Sequence, residues 1–303
     1  ALKCPTSSVF MASTGVIGEK LNYKKIITKI PKMSENLKEG NWNKAATAIT
    51  TTDTFPKGAS EVALIGNKKI QITGIAKGSG MIAPDMATML SFIFTDANIP
   101  SSILQTLLSR NVQNTFNAIT VDSDASTSDT LLLFATGAAK SIAPTSADDP
   151  VLKDFELALQ SVMLNLAKQI VCDGEGAQKL IQVNVTGANS KKSAHKIGLA
   201  IANSPLVKTA IAGGDANWGR VVMAVGKSGE KANPDKISVC FGKTTIAEKG
   251  AVVEGYDEAP VTEHLQGREI HITVDVGLGN GKSTVWTCDL THGYIEINAD
   301  YRS

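Results

Sequence analysis

The sequence predicts an α/β protein with one principal domain, and three observations predict it. Short alternating or uniformly apolar runs recur along the chain, amphipathic segments of helical period lie between them, and the two kinds of segment follow one another without an internal repeat. At 303 residues the chain is long enough to bury a sizeable core. The first runs are Glu61 to Ile65 and Lys69 to Ile75, and Gly66-Asn67-Lys68-Lys69 at their junction reads as a hairpin turn. The second run delivers the chain directly into Lys77-Gly78-Ser79-Gly80, so that glycine-rich turn ends a strand. A third strand is expected over Thr88 to Phe94. Ser102 to Phe116 then places Leu104, Leu107, Leu108, Val112 and Phe116 on one helical face.

Thr130 to Ala135 reads as the next strand. Pro144 to Pro150, closed by proline at each end, reads as a surface loop rather than a domain boundary because a strong helix follows it. That helix, Val151 to Ile170, repeats Leu152, Phe155, Leu159, Val162, Leu166 and Ile170. Leu180 to Val185 is a strand. Lys191 opens a further helical stretch through Ala202, stopped at Ser204-Pro205 because proline disfavours helix in its predecessor. Lys236 to Phe241, Arg268 to Val276 and Ser283 to Asp289 complete the strands, and in the second of these His271 shares the polar face with Thr273 and Asp275.

Composition narrows the function. Thirty Lys+Arg stand against 29 Asp+Glu, a formal charge of +1, and no run of five like charges occurs, so nothing suggests nucleic acid as a partner. Apolar stretches such as Leu131 to Phe134 are far below membrane-spanning length. Cys4, Cys172, Cys240 and Cys288 are widely separated, without the spacing of a zinc knuckle or a disulfide framework, which fits a reduced, cytoplasmic compartment. His195, His264, His271 and His292 show no ligand spacing, and Asp122, Asp124 and Asp129 lack the glycine and closing glutamate of a calcium loop. No metal and no bound cofactor is expected.

The densest unusual segment is Lys77 to Leu90, where small residues, three methionines and a proline interrupt what would otherwise be continuous strand. It is not a Walker loop, because its lysine precedes the glycines and no Gly-Lys-Ser/Thr opens a helix. Thr88 stands between this loop and the apolar run Met89 to Phe94. If the Ala87-Thr88 bond were cut, Thr88 would carry a β-hydroxyl beside a free α-amine, whose ordinary pKa of about 8 suits a general base. The same hydroxyl, attacking the Ala87 carbonyl, is a chemically sufficient agent for the cut. By itself, a threonine that opens a strand is an ordinary structural residue.

Read together, these residues resemble a known family. Lys77 to Leu90 is similar to the self-cleaving signature of the ornithine acetyltransferase (glutamate N-acetyltransferase) family of arginine biosynthesis. Seven further segments resemble that family in order: Ser13 to Gly18, Thr51 to Lys57, Thr120 to Thr130, Cys172 to Ala177, Ser204 to Ala210, Gly214 to Arg220 and Asn298 to Ser303. The resemblance implies a layered αββα fold, of the type shared with DmpA-like proteins. It also implies an α chain ending at Ala87, a β chain of residues 88–303 and assembly of two α with two β chains. It implies Thr88 as nucleophile, taking the acetyl group of N-acetylornithine and passing it to glutamate, with Thr14 and Gly15 as oxyanion hole. Substrate contacts fall on Thr54, Lys77, Thr88, Glu175, Asn298 and Ser303. Lys77 suits an α-carboxylate, and Glu175 suits the ornithine δ-ammonium. Whether acetyl-coenzyme A also serves as donor is left open.

The resemblance assigns no chemistry to Asn217-Trp218-Gly219-Arg220; Trp218 is expected in the core and Arg220 in a structural ion pair. Members of the family usually carry asparagine where Asp85 stands and often threonine at the position of Ser303. The family also has a substantial segment before the equivalent of Ser13, where only twelve residues stand here, so the chain reads as truncated at its N-terminus. Two other readings share the residues: an N-terminal-nucleophile aminopeptidase or amidase, in which water resolves the acyl-enzyme, and an uncleaved protein that binds an amino acid.

Overall fold

The computed structural model describes residues 2–83 and 89–300. Two helices, α1 (Tyr23–Glu35) and α2 (Trp42–Ala48), precede the first strand; α1 buries none of its residues and α2 buries Ala46. The first sheet has the order β1 (Lys57–Ile65), β2 (Lys68–Lys77), β3 (Leu90–Thr95), β4 (Thr130–Ala135). The expected hairpin is its first pair, with Ile65 opposite Lys68 and Gly66 in the left-handed region at φ +62°, where glycine carries no steric cost. β3 runs antiparallel to β2 and parallel to β4, with Lys77 paired to Leu90 and Leu90 to Thr130. Phe94 of β3 stacks on Phe134 of β4 at 5.0 Å, and Trp42 of α2 lies on Phe94 at 5.5 Å.

After β3 the chain forms α3 (Ser101–Val112), shorter than the sequence predicts, and a 3-10 turn at Phe116–Ala118. Helix α4 (Lys153–Cys172) buries Phe155, Leu159, Val162, Leu166 and Ile170 completely, the stripe read from the sequence. It covers β1 and β2. Gly74 of β2 permits this approach, because a β-carbon there would stand 2.8 Å from Leu166 and 3.0 Å from Ile93.

The second sheet has the order β10 (Gly281–Cys288), β5 (Leu180–Ala188), β9 (Glu269–Asp275), β6 (Ser238–Phe241), β7 (Thr244–Glu248), β8 (Ala251–Val252). β5 and β9 are parallel, and Ile270, Ile272 and Val274 point into the core while His271 and Asp275 are exposed, as the alternation predicts. Helix α5 (Lys191–Ala202) covers β10 and β5. Ser204-Pro205 both ends it and starts α6 (Pro205–Ala212), the Ser204 hydroxyl accepting the Val207 N–H as a cap. The Asn217 side chain caps α7 (Trp218–Lys227) by accepting the Arg220 N–H. The ion pair expected for Arg220 is replaced by a hydrogen bond, Nη1 donating to the Leu206 carbonyl at 2.7 Å, which ties α7 to α6; Trp218 is half-buried against the core. Helix α8 (Ala259–Gln266) precedes β9, and α9 (His292–Asp300) closes the described chain.

The mixed α/β class therefore holds, with two sheets and covering helices. Among the described residues no helix is long and apolar enough to cross a membrane.

Candidate active site

A cavity of about 320 Å³ opens where the β2 end, the loop before β4, the α4–β5 turn and α9 converge. Thr14, Gly15, Lys77, Glu175 and Asn298 all line it. The sequence places them at four widely separated points, and the fold brings them to one surface. Ala87, Thr88, Ser303 and the variant position Asp85 lie outside the described residues. Thr54 takes a different place: its N–H and its hydroxyl both donate to the Asp173 carboxylate, while Thr51 and Thr52 face the cavity.

Lys77 ends β2 with 2 % of its surface exposed, which rules out a solvated strand end. Burial pushes its ammonium below the ordinary lysine value; Lys57 pushes the same way, and Asp53 and Asp129 pull against it. Among the described residues Lys77 makes no ion pair within 4 Å. The turn beyond it is held by a buried charge network. Lys57, with no exposed surface, pairs with both Asp53 and Asp173. Asp53 accepts the Gly78 N–H at 2.8 Å, and the Ser79 hydroxyl donates to the Asp173 carbonyl at 2.6 Å. Burial alone would raise the Asp53 carboxyl, but the Gly78 amide, the Lys57 ammonium and the Thr51 amide outweigh it and hold it below the usual range. Two sequence segments singled out separately, 51–57 and 172–177, thus meet in one network.

Across the cavity, Glu175 is 8 % exposed and accepts a hydrogen bond from Asn298 Nδ2 at 2.8 Å. Glycine makes this arrangement possible twice. A β-carbon on Gly80 would stand 2.4 Å from the Glu175 carboxylate, and one on Gly176, at φ +73°, would stand 2.4 Å from the Tyr294 nitrogen. The α4–β5 turn and the start of α9 therefore touch through bare backbone.

The loop 120–130 holds both flanks of the segment 84–88. On the upstream side Asp122 accepts the N–H groups of Met81 at 2.7 Å and Ile82 at 3.0 Å, and the Val121 N–H donates to the Ile82 carbonyl at 2.9 Å. On the downstream side Asp129 accepts the Met89 N–H at 3.0 Å, and the Thr130 N–H donates to the Met89 carbonyl at 3.1 Å. Burial pushes Asp122 up, against the amides of Met81, Ile82 and Asp124. It pushes Asp129 up to about 6, against the Met89 amide and Lys77. Tyr294, which also lines the cavity, is pushed up to about 12 by burial first and then by Asp122, Asp124 and Glu175.

Sequence reasoning passed over Asp122, Asp129 and Tyr294 as site residues. The first two had a readable signal: with Asp124 they put three aspartates among the eight residues 122–129, the rest of which are small. Tyr294 had none. Lys208 is a further buried anchor, donating to the Val121 carbonyl and to Thr287 Oγ1 at 3.2 Å, so segment 204–210 supports the same loop from below.

This geometry can be set beside known proteins. The model of the ArgJ family matches residues 1–303. The chain belongs to the ArgJ family. The Arginine biosynthesis bifunctional protein ArgJ of Gluconobacter oxydans is 59 % identical over 302 residues, covering 100 % of this chain and 71 % of that protein. The protein of the same name from Brucella suis is 56 % identical, covering 100 % of this chain and 74 % of its own length. The crystal structure of Arginine biosynthesis bifunctional protein argJ from Bacillus halodurans superposes with a TM-score of 0.66 at 42 % identity, covering 68 % of this chain and 96 % of that one. Apart from Tyr294, every residue that lines the cavity in this ArgJ member falls in a segment from which the family resemblance is read.

Proposed function

We propose that this chain is an acetyltransferase of arginine biosynthesis that carries the acetyl group of N-acetylornithine to glutamate on the hydroxyl of Thr88. The observation that carries the reading is one cavity presenting, on one side, a buried lysine with no ion-pair partner among the described residues and, on the other, a buried glutamate, with the flanks of segment 84–88 anchored beside it. N-acetylornithine has an α-carboxylate and a δ-ammonium. Lys77 pairs the first, and Glu175, oriented by Asn298, receives the second. Glutamate offers the same α-carboxylate to Lys77.

In the cleavage step, Thr88 Oγ attacks the Ala87 carbonyl, the acyl group moves from nitrogen to oxygen, and water hydrolyses the ester. The products are a carboxylate at Ala87 and a free amine at Thr88. In transfer, that amine takes the hydroxyl proton as Oγ attacks the acetyl carbonyl. The Thr14 hydroxyl and Gly15 N–H face the developing oxyanion, and loss of one such donor costs about 100- to 1,000-fold in kcat. Collapse expels ornithine, whose nitrogen receives the proton, and the glutamate amine then attacks the acetyl ester by the reverse path. The two-sided charge recognition favours transfer between amino acids over hydrolysis by water. Because β2 ends before residue 87 and β3 begins after it, the two products of cleavage share one sheet.

N-terminal sequencing of purified protein tests the reading. A second terminus beginning Thr-Met-Leu-Ser is expected from the wild type, and a single uncut chain without transferase activity from Thr88→Ala. A wild-type chain that transfers acetyl while uncut contradicts it. A transfer assay run with acetyl-coenzyme A in place of N-acetylornithine determines the second donor.

A further inference from the structure

We propose that Asp53, Lys57 and Asp173 are positioning residues that act as a ruler for the donor: together they fix the separation of Lys77 from Glu175, and so select the length of side chain between an α-carboxylate and a terminal ammonium. This rests on the proposed function, in which Lys77 and Glu175 read the two charges of N-acetylornithine. Each arm of the triad ends beside one of them. Asp53 accepts the Gly78 N–H at 2.8 Å, and that N–H shares a planar peptide unit with the Lys77 carbonyl. Asp173 stands at the C-terminal end of α4, two residues before Glu175, and its carbonyl accepts the Ser79 hydroxyl at 2.6 Å. Lys57 joins the arms by donating to both carboxylates. Turn 77–80 and turn 173–176 also meet where the Glu175 carboxylate occupies the space that a Gly80 side chain would need.

The triad has nothing left to offer a ligand directly. The Lys57 ammonium donates to Asp53, to Asp173 and to the Phe55 carbonyl, which accounts for its three protons. Asp173 accepts Lys57 together with the Thr54 N–H and hydroxyl, and Asp53 accepts Lys57, the Gly78 N–H and the Thr51 N–H. The side chains of Asp53 and Lys57 expose 0 % of their surface and that of Asp173 2 %. Burying charges so completely adds little stability, because their desolvation offsets their attraction, and apolar side chains in such a place are often no worse. What apolar packing cannot supply is a directional bond between fixed points. Here such bonds run without a break from the peptide after Lys77, through Lys57, to the turn that carries Glu175.

The test compares wild type with Lys57→Met, which keeps the stem and removes the bridging charge, and with Asp173→Asn, which keeps an acceptor for Thr54 and loosens the Glu175 arm alone. On the folded, cleaved fraction, kcat and KM are measured for glutamate and for two donors, N-acetylornithine and Nα-acetyl-lysine, which is one methylene longer. Wild type is expected to favour N-acetylornithine by about 100-fold in kcat/KM, the size of effect that one methylene or a misplacement of about 1 Å produces in a fixed site. In both variants that preference is expected to fall by about tenfold or more, through a higher KM for N-acetylornithine. In Asp173→Asn the KM for glutamate, which has no ammonium for Glu175 to receive, is expected to stay within about twofold of wild type. A merely structural triad would lower the yield of folded protein and leave the preference where it was. A folded variant whose preference stays within about threefold of wild type, or an equal rise in KM for glutamate in Asp173→Asn, therefore overturns the role. If Lys57→Met does not fold, Asp173→Asn decides by the same criteria. A wild type that takes both donors equally overturns the ruler and leaves the proposed function standing; a wild type that moves no acetyl from N-acetylornithine to glutamate removes the proposed function itself.

Discussion

Asp129 carries a cost that can be measured without any substrate. Burial raises its carboxyl to about 6 in the folded chain, whereas the unfolded value is about 3.9. A carboxyl raised in this way binds more protons folded than unfolded between those two values, so it removes stability as the pH climbs through that window, and its full cost is present above about pH 6. Asn has no charge to desolvate. Asp129→Asn should therefore melt at a higher temperature than wild type above about pH 7, with the difference shrinking toward zero near about pH 4. Equal melting differences at both pH values would show that the carboxylate is not strained by burial. Lys77 obeys the same logic with the opposite charge: it stands buried and unpaired among the described residues, a state that a binding site tolerates and a lysine that meets no ligand, such as Lys57 between Asp53 and Asp173, does not.

At the scale of elements, the long stripes were legible and the short contacts were not. The helix α4 was readable because Phe155, Leu159, Val162, Leu166 and Ile170 recur at helical spacing over twenty residues, and β9 because Ile270, Ile272 and Val274 alternate with polar neighbours. Helices α6 and α7 escaped because each is ten residues or fewer and begins at a capping Ser204 or Asn217 inside what reads as a loop. The β7–β8 pair is too short to show a period. Most instructive is α9, which buries no residue and has no apolar stripe, yet supplies Asn298 and Tyr294 to the cavity. It is placed by contact with the backbone of Gly176 rather than by a hydrophobic face. Gly176→Ala should accordingly act on α9. The residue sits at φ +73° with the Tyr294 nitrogen 2.4 Å from where a β-carbon would stand, so a loss of about 1–3 kcal/mol in stability is expected. Hydrogen exchange should show α9 opening before the sheets. Unchanged protection there would mean that the turn and the helix are not coupled.

Across the whole molecule, the site is assembled from segments that lie on both sides of the proposed cut. β1, β2, Lys77 and the Asp53–Lys57 pair precede it, and β3, β4, α4, Asp173, Glu175 and α9 follow it. β2 and β3 nevertheless form one antiparallel ladder from Ile72 opposite Thr95 to Lys77 opposite Leu90, and α4 lies across β1 and β2. The two products should therefore elute together in native size-exclusion chromatography and separate only in denaturant; separation in native buffer would contradict the shared sheet. The family resemblance read from eight ordered segments reached the cavity because five of its expected contacts converge there, while the backbone clamps at Asp122 and Asp129 depend on hydrogen-bond partners that no linear pattern displays. The central claim is that Thr88 carries the acetyl group between donor and acceptor. Mass spectrometry of enzyme quenched with N-acetylornithine in the absence of glutamate tests it most directly. The account predicts that the fragment beginning at Thr88 gains one acetyl group on that residue and loses it when glutamate is added, and an enzyme that turns over with no acetyl on that fragment would contradict it.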